Sequence, residues 1–288
     1  MEKIIREVRA GMVQITVADE RWYIDQNGEY PVFVPSVTWQ AHSYPKGIGY
    51  YKWLAEHGWD EAEAIKEAAG EKGSKVHLAI ADLIAGKEVH MDAKYPNRNG
   101  IEETLSLEEW DCILSFADFW KSNPGIKVIA SEIPVFMKEH REDCEKKKGS
   151  PTCSCCYAGT IDLVCEMDGD IWVIDFKTSQ YIWPEYELQL SAYKHALPPI
   201  KVVEEHGGKK IRVAKPVKKI GILNVGYKRN KNKWKFTEIE DKFDLFGAAQ
   251  RIWFNEHGNE RPSVRDYPEK VSLVAIATQY DEGTDKDK

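Results

Sequence analysis

Two aspartates and a lysine sit where strand periodicity would place apolar residues, in the stretch "GTIDLVCEMDGDIWVIDFKTS" from Gly159 to Ser179. Asp168-Gly169 between two alternating apolar runs is a strong hairpin signal, because glycine accepts the positive φ of a type I′ turn. With those residues at the tip, cross-strand partners have numbers summing to 337, and Asp162 falls opposite Asp175. Alternation then sends Ile161, Leu163, Cys165, Trp172, Ile174 and Phe176 to one face. Thr160, Asp162, Val164, Val173, Asp175 and Lys177 go to the other. Opposed Cβ atoms lie about 4.5–5.5 Å apart, so two carboxylates there repel unless a proton or cation lies between them. Oxygen-only ligation favours a hard ion, Mg²⁺ or Mn²⁺, with the Lys177 ammonium reaching the same space. The plainer alternative is an ion-pair cluster on a half-exposed hairpin.

The elements around the hairpin have to position this chemistry. A helix over "PEYELQLSAYKHAL" opens at Pro184 and carries Tyr186, Leu190, Tyr193 and Leu197 on one stripe; Gln189 and Tyr193, one turn apart, both point at the hairpin. A strand around "KVIASEIPVF" precedes the hairpin, and its Glu132 reads either as a helper acid or, beside Pro134 near a strand end, more simply as a solvent-facing residue. Helical segments are expected over residues 45–58 and 60–86, and over "LEEWDCILSFADFWKS", where Ser106 and Glu109 form a capping box. "RWYIDQNGEYPVFVPSV" reads as a hairpin turning at Asn27-Gly28, and the front third reads as mainly helical. "KKIGILNVGYK" and "KWKFTEI" read as two further strands, and "DKFDLFGAAQRIWFNEHG" as a closing helix.

With 288 residues, 42% of them hydrophobic and 10 of them Trp, the chain can bury a sizeable core. The reading is one α/β domain over residues 1–279 with a Cys-rich insertion at about 138–157, followed by a disordered acidic tail at 280–288. No apolar run approaches ~20 residues and "MEKIIREVRAG" lacks a signal-peptide core, so a cytoplasmic or otherwise intracellular protein with no membrane partner is expected. Although the net charge is −7, residues 208–235 hold eleven Lys and Arg and no acid. Such a segment suits phosphates, with Lys228, Arg229, Lys231, Lys233 and Trp234 as DNA-contacting residues; a merely solvated basic hairpin is the alternative. Cys144, Cys153, Cys155 and Cys156, crowded in the insertion, suit a structural Zn²⁺, with unliganded thiols, a disulfide or a cluster as alternatives.

A strand, a hairpin carrying Gly159-x-x-Asp162 and Asp175-x-Lys177, then a helix carrying Gln189-x-x-x-Tyr193, resembles the PD-(D/E)XK nuclease superfamily. The likeness is to its RecB-like exonuclease branch, with "PSVTW" at Pro35 and "GSKVHLAIADLIAG" at Gly73 resembling that branch's N-terminal helical motifs, over roughly residues 35–253. The resemblance implies a restriction-endonuclease-like core, a central mixed sheet flanked by helices, with N-terminal helical segments arching over the metals at about 36–122. It also implies a metal-dependent DNA exonuclease serving recombination, repair or genome maintenance, alongside recombination or replication proteins. A structure-specific endonuclease, or a DNA-binding protein with a vestigial nuclease core, are the alternatives. By the same resemblance Asp162, Asp175 and the Phe176 carbonyl hold Mg²⁺, which polarises the scissile phosphate and acidifies a water that Lys177 positions or deprotonates. His77 ligates or organises a second metal, and Gln189 and Tyr193 hold Lys177 in register. Thr178 and Ser179 contact a neighbouring phosphate, and bases stack on side chains such as Trp39 or Trp183. The cysteines depart from the branch's iron–sulfur members, which place one cysteine before the histidine motif and three after Gln-x-x-x-Tyr; here all four lie before Gly159, so that cluster does not carry over.

Overall fold

The computed structural model describes residues 4–9, 12–17, 20–25, 32–97, 100–137, 155–206 and 209–258. The chain opens with β1 (Ile4–Arg9), β2 (Met12–Val17), β3 (Glu20–Asp25) and β4 (Val32–Pro35), followed by α1 (Val37–Ala41), α2 (Ile48–His57) and α3 (Trp59–Ile84). A small hairpin of β5 (Lys94–Pro96) and β6 (Glu102–Thr104) leads to α4 (Leu107–Ser122), β7 (Lys127–Met137), β8 (Tyr157–Met167) and β9 (Asp170–Lys177). Then come α5 (Pro184–Ala196), a hairpin of β10 (Ile200–His206) and β11 (Lys209–Lys215), β12 (Lys219–Val225), β13 (Trp234–Ile239) and α6 (Phe243–His257).

The central element is a five-stranded mixed sheet in the order β13-β12-β9-β8-β7, antiparallel except where β12 runs parallel to β9. α5 makes the crossover that a parallel pair needs. Two apolar layers sandwich the sheet. On one side Val164, Val173, Ile220 and Ile222 pack against α1, α5 and α6 through Val37, Ala41, Leu188, Tyr193 and Phe246. On the other, Leu163, Cys165, Trp172, Ile174, Phe176 and Leu223 meet Val76 and Ile80 of α3 and Cys112, Phe116 and Phe119 of α4. Each fully buried large apolar side chain in these layers contributes about 1.5–3 kcal/mol relative to exposure. The architecture is therefore mixed α/β with a central mixed sheet flanked by helices.

Local chemistry explains the elements that frame the hairpin. Asp168 and Gly169 both have positive φ, 53° and 83°, and Met167 pairs with Asp170, as a two-residue I′ turn demands. The ladder keeps the expected register up to Leu163 opposite Ile174. At α4, Ser106 Oγ accepts from the Glu109 N–H at 3.3 Å, and a Glu109 carboxylate oxygen accepts from the Ser106 N–H at 2.7 Å, closing the expected capping box.

Three expectations need correction. The front third carries its helices α1 to α3 but also more strand than the single expected hairpin, since β1 to β4 form an antiparallel meander before the first helix, and Ser36 bridges it to Ala158 of β8. Ile161 does not share a face with Leu163: it packs with Val135, Tyr157, Val164 and Tyr193, so alternation breaks at Asp162. The segment after α5 is not a loop but the β10-β11 hairpin. Cys144, Cys153 and most of the insertion lie outside the described residues, as does the acidic tail. Cys155 and Cys156 are buried against Tyr23, Val34 and Ala158. No helix among the described residues is long and apolar enough to cross a membrane.

Candidate active site

The sheet hydrogen bonding lapses at Asp162, and this lapse builds the site. Neither neighbouring ladder pairs it: β7 pairs Ser131 with Leu163 and Ile133 with Ile161, and the β8-β9 ladder stops at Leu163. Instead the Asp162 side chain turns into the gap, where Oδ2 accepts the Phe176 N–H at 2.7 Å and Oδ1 lies 3.2 Å from His77 Nδ1 on α3. Glu132, the residue facing Asp162 across β7, has a left-handed φ of 51°, a conformation costing a non-glycine residue about 1–3 kcal/mol.

Asp175 and Lys177 come from the same hairpin. Lys177 Nζ lies 2.6 Å from Asp175 Oδ2, 3.3 Å from Gln189 Oε1, to which it donates, and 4.6 Å from the centre of the Tyr186 ring. Gln189 Nε2 in turn donates to Tyr193 Oη at 3.0 Å. Asp162, Asp175, Gln189 and Tyr193 are all buried. The expected set Asp162, Asp175, Phe176, Lys177, His77, Gln189 and Tyr193 is thus gathered in one place from four elements, β8, β9, α3 and α5.

Gly159 explains why its position has no side chain. A Cβ there would lie 2.5 Å from Tyr193 Cε1 and 2.7 Å from Tyr193 Oη, well inside contact distance. The Tyr193 ring occupies that space, and β8 thereby sets the height of the Gln189–Lys177 relay above the sheet.

The charges in this recess are strongly coupled. Burial pulls the His77 imidazole down, but attraction and hydrogen bonding from Asp162 outweigh it and lift its pKa to about 9. Burial pushes Asp175 up to about 6, against the pull of Lys177, and Asp162 adds like-charge repulsion. For Asp162, burial opposes ionisation, yet His77, Lys177 and the Phe176 N–H hold it below the usual carboxylate range. Burial likewise opposes the Lys177 charge, but Asp175 and Asp162 raise it, so it stays an ammonium at neutral pH.

His77 then makes stability pH-dependent when no metal is bound. Its folded pKa lies above its ordinary 6.5, so the stabilisation is fully present below pH 6.5 and is lost as pH rises through about 9. That loss amounts to about 3 kcal/mol. Urea unfolding in chelator between pH 6.5 and 9.5 should show the decline, and His77→Gln should flatten it. An unchanged slope in the variant would contradict the His77–Asp162 pairing.

The residues suit a hard divalent cation. Two buried carboxylates share the recess, and Asp175 Oδ2 has no hydrogen bond of acceptable geometry, its contact to Lys177 being an ion pair. Among the described residues no group of three or more His, Cys, Asp and Glu side chains is arranged to hold a metal, so remaining ligands would be backbone carbonyls or solvent. His77, protonated by its contact with Asp162, serves here as a charge partner.

Thr178 Oγ1 approaches α3 at Gly73, while the Ser179 hydroxyl donates to the Tyr181 carbonyl at 2.8 Å and so shapes the loop after β9. The basic window is not one continuous surface. Lys228 pairs with Glu108 at 3.3 Å, Lys233 with Asp111 at 2.9 Å, and Trp234 Nε1 donates to Asp118 at 2.8 Å while its ring packs edge-on against Phe119. These acids all lie on α4, distant in sequence. Arg229 stacks on Tyr181, and Lys231, which has no ion pair among the described residues, lines a recess of about 430 Å³ with Lys72, Lys228, Lys233, Glu108 and Asp111. Exposed pairs of this kind contribute only ~0–1 kcal/mol each and exchange readily for phosphate. Trp39 is not an open stacking ring: it packs between Trp22, Trp253 and His257 at 5.0–5.4 Å.

Sequence reasoning missed several neighbours of the site. Tyr186 lies three residues before Gln189 on the same helix face, a signal that was present, and its ring faces the Lys177 ammonium. Asn224, level with Lys177 on β12, donates to the Ser179 carbonyl at 2.9 Å. His42 just beyond α1 carries an imidazole lowered to about 4 by burial and by Lys46, with Lys66 and Lys177 adding to the effect. Lys46 itself is ion-paired to Glu185.

No protein-family model matches the chain. No curated protein matches it either.

Proposed function

We propose that the chain is a Mg²⁺- or Mn²⁺-dependent deoxyribonuclease with a restriction-endonuclease-like core, degrading DNA from single-stranded ends in recombination, repair or genome maintenance. The observation that carries this reading is the convergence of Asp162, Asp175 and Lys177 with the Lys177–Gln189–Tyr193 relay in one buried recess. Asp162, Asp175 and the Phe176 carbonyl would hold the cation, which supplies Lewis-acid polarisation of the scissile phosphate and acidity to the attacking water.

The protein's own groups account for the rest. Lys177 keeps its proton at neutral pH, so it stabilises charge accumulating on the phosphate rather than removing a proton. Gln189 and Tyr186 fix where that ammonium points, and Gln189 is itself oriented by Tyr193. Protonated His77 pins Asp162 and leaves it ionised. The pKa of about 6 at Asp175 implies that cation binding weakens as pH falls below 6, where that carboxyl takes a proton.

The preference for ends rests on access. In the branch this chain resembles, helices N-terminal to the core arch over the metals, so a strand is threaded past His77 to reach Asp162 and Asp175, and a single strand threads more easily than a duplex. Linear single-stranded DNA in Mg²⁺ should be shortened to small products, while covalently closed circles of the same sequence resist. Circles cut as fast as linear strands would replace the exonuclease reading with an endonuclease.

A further inference from the structure

We propose that Tyr181 and Trp183, backed by Arg229, form a stacking platform for an unpaired nucleobase at the mouth of the site. This inference rests on the nuclease reading and deepens it by naming what holds the strand next to the reacting phosphate.

Large aromatics that stay exposed are informative when they are also held still. Tyr181 is 56% and Trp183 42% exposed, on the loop between β9 and α5 that begins directly after Lys177. The loop is tied down throughout. Asn224 Nδ2 donates to the Ser179 carbonyl at 2.9 Å, and Ser179 Oγ donates to the Tyr181 carbonyl at 2.8 Å. Gln180 donates to the Gly226 carbonyl at 3.0 Å and accepts from the Lys228 N–H at 2.8 Å, while the Tyr186 N–H donates to the Trp183 carbonyl at 3.0 Å. Two apolar rings are thereby kept in water on a rigid mount, at the cost of the burial they forgo.

The geometry suits a base. The two ring centres are 6.0 Å apart and tilted by 47°, and the Arg229 guanidinium sits 4.5 Å from the Tyr181 centre. The cation covers part of the Tyr181 surface and adds positive charge beside the exposed rings. Lys231, two residues after Arg229 and without an ion pair among the described residues, supplies a cation for a neighbouring phosphate. Aromatic faces interleaved with cations bind single strands through base stacking and backbone attraction together; a paired base offers no free face. The contrast with Trp39 and Trp234, whose rings are packed by other side chains, singles out Tyr181 and Trp183.

The test uses the full chain in chelator, so that binding is read without cleavage. Fluorescence anisotropy would compare a labelled oligothymidylate with an abasic oligonucleotide of equal length and charge, for the wild type and for Tyr181→Ala/Trp183→Ala. The double variant should bind oligothymidylate roughly 5- to 100-fold more weakly, with little change for the abasic strand. Tyr181→Phe/Trp183→Phe should restore binding, and thermal unfolding should be unaltered because both side chains are exposed. Equal losses on the two strands would mean backbone contact alone and would overturn the platform, as would undiminished binding by the alanine variant. If the wild type binds and cuts DNA but shows no preference for bases, the platform fails and the nuclease reading stands; a wild type that binds neither strand sinks both.

Discussion

Lys177→Ala is expected to lower the rate of DNA cleavage by about 10²- to 10⁴-fold, the range found when one positioned proton-donating or charge-stabilising group is removed. The ammonium is held on three sides, by Asp175 at 2.6 Å, by Gln189 at 3.3 Å and by the Tyr186 ring at 4.6 Å. Such a group is preorganised, and its charge meets the phosphate without reorganisation during reaction. Binding should survive, because a strand contacts many cations and loses only one. Affinity for single-stranded DNA in chelator is therefore expected to fall by less than about tenfold. The check is a pair of measurements on one preparation, single-turnover cleavage and chelated binding, with thermal unfolding to show that the fold persists. Wild-type turnover by the variant would remove Lys177 from the mechanism; a parallel collapse of binding would make it a binding residue.

Gly159→Ala is expected to damage the same reaction from a position that touches no substrate. The added Cβ meets the Tyr193 ring at 2.5 Å, so either the ring or β8 has to move. Overpacking of this kind costs about 1–3 kcal/mol of stability. Displacement of Tyr193 also releases Gln189, and misplacing a catalytic group by an ångström lowers rates by ~10- to 100-fold. The cause is separable from a general weakening of the core by a double-mutant cycle. Once Tyr193→Ala has removed the ring, Gly159→Ala should add little further cost to stability or rate, whereas independent sites would show additive losses.

How far the sequence foretold this arrangement depends on the range of the forces involved. The hairpin register was legible because a two-residue turn and a period of two leave one solution, which holds from Met167 opposite Asp170 to Leu163 opposite Ile174. The α4 cap was legible because Ser106 and Glu109 are three residues apart and act locally. Asp162 was expected directly opposite Asp175, but the ladder ends one pair short of it, and neither that lapse nor Ile161 crossing to the layer of Tyr193 was foreseen. Both follow from the Asp162 carboxylate taking the Phe176 N–H, a side-chain bond that no alternation pattern encodes. The partners of the basic window were not legible for a different reason: Glu108, Asp111 and Asp118, more than a hundred residues earlier, come alongside only when α4 packs against β12 and β13. Trp39 had the composition of a stacking residue but is partly buried, because the meander and α6 bring Trp22 and Trp253 to its ring.

The central claim is that Asp162, Asp175 and Lys177 form a phosphodiester-cleaving centre that works with a hard divalent cation. Its most direct test adds Mg²⁺ to chelator-treated protein in the presence of end-labelled single-stranded DNA and follows the label on a sequencing gel, with Lys177→Ala and Asp175→Asn run beside the wild type. The account predicts no shortening before the cation is added, steady shortening afterwards by the wild type, and none above background by either variant. Intact DNA with the wild type in both Mg²⁺ and Mn²⁺, or shortening that both variants share, would contradict it.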